Sequence, residues 1–405
     1  IFTGLGILSG LIIELTFIPA VRSWLKAPKL RTKPPAFDVL SPVIRGIKRA
    51  ANRKAMGKVY LAFALLIGVS AYGLTQLKVE NSNKSFFSEK LPFQQDDQLI
   101  NQKMAGTNTL YVIFEGSEQD VIKDPKVLRM IDDTQRFLEK QPGIGKTISV
   151  VDLVKRMNQA MHADAKDELA IPNNRELVSQ FLLLYSMSGE PADFDRYVDY
   201  NYQNANLTAF VKHDNSGQIK KVIADTKEFL KSYNDPRIKI HFGGSVPQST
   251  ALSESLVDGK VRNVAQIGLV IFVVSALVFR SLVGALLVIT PLAITALVNF
   301  GVMGLAGIPL NTPNAITAPM AIGIGADYAI YLLYRIREEL HHHATLEDAV
   351  NSALESAGRA ILYVGTAIAG GYSVLMLSKG FNIHIWSGIL IVMSMVVSVA
   401  TTLLL

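Results

Sequence analysis

Length, composition and charge exclude several classes of protein. The chain has 405 residues, no cysteine, 49% hydrophobic residues and a net charge of +6, with a mean hydropathy of +0.28. Charged residues make up only 18%, against about 25% in a typical soluble domain. The high apolar content excludes an intrinsically disordered chain. The lack of cysteine excludes a disulfide scaffold and a cysteine-ligated zinc or iron–sulfur site.

The apolar residues are concentrated in seven stretches, each close to the ~20 residues that a helix needs to cross a bilayer. They run over residues 1–21, 57–77, 264–282, 284–307, 315–334, 358–378 and 384–405. No charged residue occurs between Leu282 and Ala326, whereas an amphipathic helix of a soluble protein has a polar stripe. A signal peptide has one shorter apolar region, not seven. The sequence therefore predicts a multi-span α-helical membrane protein rather than buried core helices.

These spans divide the chain into five parts. Residues 1–21 and 57–77 are single transmembrane helices, and residues 22–56 are a basic linker between them. Residues 78–262 have the composition of a soluble domain, with 24 Lys and Arg against 26 Asp and Glu. Residues 263–405 are predicted to form a five-helix transmembrane bundle.

The basic residues predict the orientation. The segment 22–58 contains eleven Lys and Arg but a single acid, Asp38. A short basic loop between two spans lies in the cytoplasm by the positive-inside rule, and alternation then places residues 78–262 outside. We expect a bacterial cytoplasmic (inner) membrane with the large domain on the periplasmic side. The positive charge is thus a topology signal, with contacts to anionic membrane lipids, and nucleic-acid binding is disfavoured.

The extramembrane segment has the pattern of an α+β domain. Strand–helix–strand occurs twice, which predicts a split βαβ, ferredoxin-like unit. Residues 152–203 interrupt it as inserted helices without a catalytic signature. The predicted strands are Asn108–Glu115, Lys146–Val150, Leu207–Lys212 and Arg237–Phe242, and the predicted helices are Asp124–Lys140 and Gly217–Tyr233.

Asp327 is the one acid of the second to seventh spans that lies well inside the apolar run. A charge at this depth costs at least ~2.5 kcal/mol, so we expect the side chain to face the bundle interior and to have a function. Burial favours the neutral form of a carboxyl group. Such a group can bind and release protons near neutral pH. A structural, hydrogen-bonded aspartate is the alternative.

Several neighbours join Asp327 in the predicted site. Tyr328 is adjacent, and Gly323, one turn earlier, shares the helix face of Asp327 with Tyr331 and Tyr334. Gly323 and Gly325 allow another helix or water to approach closely. Three polar residues on other spans are weaker candidates for the same relay and are more simply explained as helix–helix hydrogen bonds: Asn299, Thr366 and Ser373.

The segment from Gly323 to Glu339 resembles the tenth transmembrane helix of RND-superfamily transporters of the MMPL/Patched-like branch. That branch has a Gly-x-x-x-Asp motif, usually followed by Tyr, as in Gly323 to Tyr328. Ala357–Ile361, Val278–Leu282 and the βαβ pattern of the outer domain match the family too, so the resemblance covers nearly the whole chain.

The resemblance implies that residues 1–21 are the sixth of twelve helices and that the chain is otherwise the C-terminal half of the transporter. Residues 78–262 are then a porter-like domain. In the family an Asp-Tyr pair on the fourth helix faces the pair on the tenth and relays protons. Asp327 and Tyr328 are therefore expected to be half of a proton relay whose other part lies in an N-terminal half.

The function implied by the resemblance is proton-motive-force-driven movement of lipids or other hydrophobic molecules out of or between membranes. Expected partners are the hydrophobic substrate, protons, membrane lipids, the N-terminal half and, in a branch of varied oligomeric state, further copies of the chain. An RND-like accessory or sterol-sensing-type membrane protein without transport remains an alternative.

An enzyme is the less favoured alternative. An intramembrane aspartyl protease has two intramembrane aspartates, and the spacing from Gly323 to Asp327 has one residue more than the Gly-x-Gly-Asp pattern. No cofactor is expected. The run His341 to His343 does not predict a metal site, because consecutive histidines do not share a helix face.

Overall fold

The computed structural model describes residues 2–26, 40–51, 53–188, 194–233 and 235–405. It divides into two compact units, Ile1–Gly46 and Ile47–Leu405. Much of the predicted basic linker, residues 27–39, lies outside the described residues. In chain order the elements are α1 (Phe2–Trp24), α2 (Leu40–Ala50), α3 (Arg53–Thr75), α4 (Pro92–Lys103), β1 (Asn108–Gly116), α5 (Pro125–Glu139), β2 (Ile144–Ile148), α6 (Val150–Met161), α7 (Arg175–Ser188), β3 (Asn204–Val211), α8 (Ser216–Lys231), β4 (Ile238–Gly243), α9 (Ser245–Phe279), α10 (Leu282–Leu305), α11 (Thr317–Glu339), α12 (Leu346–Ala353), α13 (Arg359–Ser373) and α14 (Asn382–Leu404).

Seven helical segments of the described residues are long and apolar enough to cross a membrane. The predicted multi-span architecture is thereby confirmed. The sixth segment, Leu346–Leu377, consists of α12, a π-helical turn at Leu354–Gly358, α13 and a 3₁₀ turn at Val374–Leu377. Helix α9 has 35 residues, about 52 Å at 1.5 Å per residue. It extends without interruption from the domain predicted over residues 78–262, named the outer domain here, to the end of the third span. The predicted boundary at residues 262–263 therefore lies within one helix.

The outer domain contains a four-stranded sheet of order β2-β3-β1-β4. All neighbouring strands are antiparallel. This strand order and these strand directions are those of the split βαβ unit, so the predicted fold is confirmed. The alternate residues Leu110, Val112 and Phe114 of β1 are fully buried in the core. As expected, α6 and α7 are inserted between β2 and β3.

The helices that cover this sheet begin at capping residues that can be recognised in the sequence. At the start of α5, the side chain of Asp124 accepts a hydrogen bond from the Lys126 N–H, and Pro125 occupies the first helical position. Ser149 and Asp152 form a capping box at the start of α6. The rings of Phe137 on α5 and Phe229 on α8 are stacked with centroids 4.5 Å apart.

Helix α10 is the centre of the membrane bundle, since it packs against α3, α9, α11 and α14. Its contact with α3 depends on glycine. A Cβ atom at Gly304 would lie 1.8 Å from the carbonyl oxygen of Gly73, and one at Gly301 would lie 2.5 Å from that of Ser70. The two backbones therefore touch, as in other membrane helix pairs with small residues at the interface.

We predict that Gly304→Ala separates α3 from α10, because the new methyl group meets a backbone oxygen that cannot move aside. Overpacking of this kind costs about 1–3 kcal/mol, so the melting temperature of the detergent-solubilised protein should fall. Gly268→Ala on α9 is the matched control, since a Cβ there meets nothing within 4 Å. Equal melting temperatures for the two variants would contradict this packing.

Candidate functional site

Helix α11 has one buried and one exposed face. Ala321, Gly325 and Tyr328 are buried in the bundle. A Cβ atom at Gly325 would lie 2.6 Å from the Ser398 hydroxyl oxygen of α14, so this face packs closely on its neighbour. The other face, which we name the open face, consists of exposed residues spaced three or four apart: Gly323, Asp327, Tyr331 and Tyr334.

Asp327 lies in the middle of the open face. Among the residues that the structure describes, its carboxylate makes no hydrogen bond and no ion pair. One turn away, a Cβ atom at Gly323 would meet nothing within 4 Å. Asp327 therefore faces outward from the part of the bundle that the structure describes. The reason is the 3.6-residue helical repeat, since α11 turns Ala321, Gly325 and Tyr328 inward and thereby turns Asp327 outward.

A cavity of about 330 Å³ lies beside Asp327, between α11 and α13. Its polar groups are the Asp327 carboxylate and the hydroxyls of Tyr328 and Tyr331, and the rest of its lining is apolar. Helix α13 packs on α14 rather than closely on α11, which leaves the cavity open. The lining residues are Ile324, Asp327, Tyr328, Tyr331, Ala360, Ile361, Val364 and Ile368.

Tyr328 lines the same cavity but is mostly buried. The partner of its hydroxyl among the described residues is the Met395 sulfur, 4.0 Å away on α14. A Cβ atom at Gly365 of α13 would lie 3.9 Å from the same hydroxyl. Asp327 thus faces away from the bundle, while the neighbouring Tyr328 hydroxyl reaches toward the point where α13 meets α14.

The three weaker candidates are not brought to Asp327. The hydroxyl of Thr366 donates to the Leu362 carbonyl oxygen at 2.7 Å, and that of Ser373 donates to Gly370 at 2.7 Å, both within their own helix. Asn299 is fully buried and donates from Nδ2 to the Ser394 hydroxyl at 2.7 Å. Thr366 and Ser373 thus bond to the preceding turn, as hydroxyl groups in apolar helices do, and Asn299 makes a helix–helix hydrogen bond between α10 and α14. A part for these residues in the relay stays a prediction.

A buried polar stripe on α14 is not among the candidates predicted from the sequence. Ser394, Ser398, Thr401 and Thr402 are all buried, at the three- and four-residue spacing of one helix face. Ser394 accepts the hydrogen bond from Asn299. That spacing is the signal in the sequence, and it marks the face that packs on α10 and α11.

The C-terminal end of α11 is held by ion pairs. The guanidinium of Arg335 lies 2.6 Å from Glu338 and 2.6 Å from Glu339, and its Nε donates to Ser356 in the π-helical turn at 3.2 Å. His343, from the histidine run, lies 3.2 Å from Glu339. This end of the helix is therefore tied to the start of α13, whereas the segment around Asp327 is not.

Comparisons with known proteins agree with this architecture. A family model described as the MMPL family matches residues 93–405. The membrane protein MJ1562 of Methanocaldococcus jannaschii is 22% identical over 351 residues, which are 84% of this chain and 86% of that protein. The mycolic acid-containing lipids exporter MmpL11 of Mycolicibacterium smegmatis is 25% identical over 138 residues, which are 33% of this chain and 14% of the exporter.

A solved structure has the same fold. The hedgehog release protein Disp of the water bear Hypsibius dujardini superposes with a TM-score of 0.62 and 11% identity, over 93% of this chain and 50% of Disp. This chain thus spans most of MJ1562, half of Disp and a small share of MmpL11. The predicted RND-type membrane fold is confirmed. Since the family model matches most of the sequence, the chain belongs to the MMPL family, a transporter-type family of the RND superfamily.

Proposed function

We propose that this chain is part of a proton-driven transporter that moves lipids or other hydrophobic molecules out of or between membranes. The observation that carries the proposal is the unpartnered carboxylate of Asp327 on the open face of a membrane-spanning helix, beside a cavity. The lipid-exporting relative MmpL11 supports the class of substrate. The basic residues of α2, among them Arg45, Lys48 and Arg49, support a cytoplasmic location for that helix and a periplasmic one for the outer domain.

The open face carries a carboxylate that must be shielded from lipid by other protein or by water. A charged carboxylate in contact with lipid costs at least ~2.5 kcal/mol, and such residues face other protein or water. We infer that a second unit with the same helical architecture lies against Gly323, Asp327 and Tyr331. The length of Disp, of which this chain covers half, favours a second unit in the same polypeptide. The similar length of MJ1562 favours a second copy of the chain.

Proton binding at Asp327 gives the site two states. The ionised carboxylate favours a hydrated or charged neighbour across the open face, and the neutral acid favours close apolar packing. Because α13 is separated from this part of α11 by the cavity, the two helices have room to approach. The Tyr328 hydroxyl lies on the path of that movement. Continuous helix α9 leads from the bundle to the outer domain, where a hydrophobic path would open and close.

The first prediction concerns transport itself. Purified protein, with any second unit it contains, is reconstituted in vesicles, and movement of a fluorescent phospholipid is followed under an imposed pH gradient. We expect Asp327→Asn to reduce gradient-driven movement to the level of protein-free vesicles, because the amide cannot bind the proton. Asp327→Glu should retain part of it.

Glu118→Gln is the matched control, since Glu118 is an exposed acid of the outer domain and should behave like wild type. Full activity of Asp327→Asn would exclude the proton relay. Absence of lipid movement in wild type as well as in Asp327→Asn would instead favour an accessory or sterol-sensing-type protein without transport.

The second prediction concerns the cover of the open face. The chain contains no cysteine, so a spin label can be placed at Gly323→Cys alone, where a side chain meets nothing. In the assembled protein we expect low accessibility of this label to dissolved oxygen, as for a protein interior. The control label at Val270→Cys, on the exposed side of α9, should be highly accessible.

Equal oxygen accessibility at the two positions would show that the open face contacts lipid and would contradict the inferred cover. Dipolar coupling between labels at residue 323 identifies the covering unit. Strong coupling indicates a second copy of the chain, and low accessibility without coupling indicates a second unit of the same polypeptide.

A further inference from the structure

The segment that leads from α3 to α4, residues 78–88, is named the connector here. Its backbone is bonded to two loops at the outer end of the bundle. The Leu310 N–H donates to the Lys78 carbonyl oxygen at 2.8 Å, and the Ser88 N–H donates to the Gly380 carbonyl oxygen at 2.9 Å. These loops precede α11 and α14, so the connector is joined to the helix that carries Asp327.

Asn81 strengthens this junction from a buried position. Its side-chain oxygen accepts hydrogen bonds from the backbone N–H and the hydroxyl of Thr312, at 3.1 and 3.0 Å. Its carbonyl oxygen accepts a bond of 2.7 Å from the hydroxyl of Ser249 on α9. The connector therefore holds the loop before α11 and the long helix α9 together.

The connector contacts the outer domain through a hydrogen bond between two side chains. The hydroxyl of buried Ser82 donates to the carboxylate of Asp214, in the turn between β3 and α8, at 2.5 Å. This is the one hydrogen bond between the connector and that turn in the described part of the chain. Two residues before Ser82, Glu80 is half-buried, and the charges that act on it are those of Asp214 and Lys78.

We propose that Glu80, Ser82 and Asp214 form a latch between the membrane bundle and the outer domain, which a proton on Glu80 closes and the ionisation of Glu80 loosens. With Glu80 neutral, Asp214 faces a hydrogen-bond donor and keeps its bond to Ser82. With Glu80 charged, two carboxylates share one partly desolvated site and repel each other. The latch does not depend on the role proposed for Asp327.

The direction of the pH effect follows from the environment of Glu80. Burial and, next, the negative charge of Asp214 raise the pKa of Glu80, while Lys78 opposes the shift. A group whose pKa is raised in the closed form stabilises that form at low pH, and this stabilisation is lost as the pH rises through the raised pKa. Glu80 lies on the side of the membrane that holds the outer domain. Acid on that side therefore closes the latch.

The test measures the distance across the latch in the full protein in nanodiscs. Spin labels are placed at Asn83→Cys in the connector and Lys212→Cys at the end of β3, both exposed positions of a cysteine-free chain. We expect one narrow distance distribution in acid and a broader, longer one at higher pH. For a single proton, the ratio of the two populations changes by at most about tenfold per pH unit.

Variants at the latch distinguish this proposal from a general effect of acid. Glu80→Gln should give the narrow acid form at every pH, and Asp214→Asn should lose the pH dependence because the repulsion is gone. Glu89→Gln, an exposed acid close by in the chain, should match wild type. Asp327→Asn should also match wild type, so failure of the latch and failure of the transport proposal give different results. A wild-type distance independent of pH, or an unchanged pH dependence in Glu80→Gln, would overturn the latch.

Discussion

A carboxyl group in the middle of a membrane span, that of Asp327, limits what can pack around it, and the rest of the bundle is arranged under that constraint. In hydrocarbon the ionised form has no solvent, and every element near it must supply a partner, water or a route to the neutral form. Helix α11 packs on its neighbours through the face opposite Asp327, where Gly325 contacts Ser398 of α14. Asp327 is thereby left outward-facing and unpartnered among the described residues. The fold of this chain thus leaves the carboxylate on the open face instead of burying it.

The parts around that carboxylate differ in rigidity. Helix α10 touches α3 backbone to backbone through Gly304 and Gly73, and Arg335 ties the C-terminal end of α11 to the turn before α13. The cavity between α11 and α13 is the part of the bundle near Asp327 that has room to close. At the N-terminal end of α11, the connector links the loop before this helix to the sheet domain.

The sequence was sufficient for the spans and for the strand order, because apolar runs of membrane length and the repeated strand–helix–strand pattern are local signals. It also identified Asp327 by its depth in an apolar run. The side of the bundle on which Asp327 lies has no local signal, since the facing of a helix is set by which neighbours it packs on, here α10 and α14. The hydroxyls of Thr366 and Ser373 bond within their own helix, and the sequence does not specify that choice of partner. The hydrogen bond from Ser82 to Asp214 joins distant parts of the chain and has no local signal.

The central claim is that Asp327 binds a proton within the membrane, and infrared difference spectroscopy of the assembled protein in vesicles tests it most directly. A neutral carboxyl group has a C=O stretching band that a carboxylate lacks. We expect acidification to produce such a band, at a frequency typical of an apolar environment, and we expect the band to be missing in Asp327→Asn. A spectrum in which wild type and Asp327→Asn show the same carboxyl bands at every pH would contradict the account.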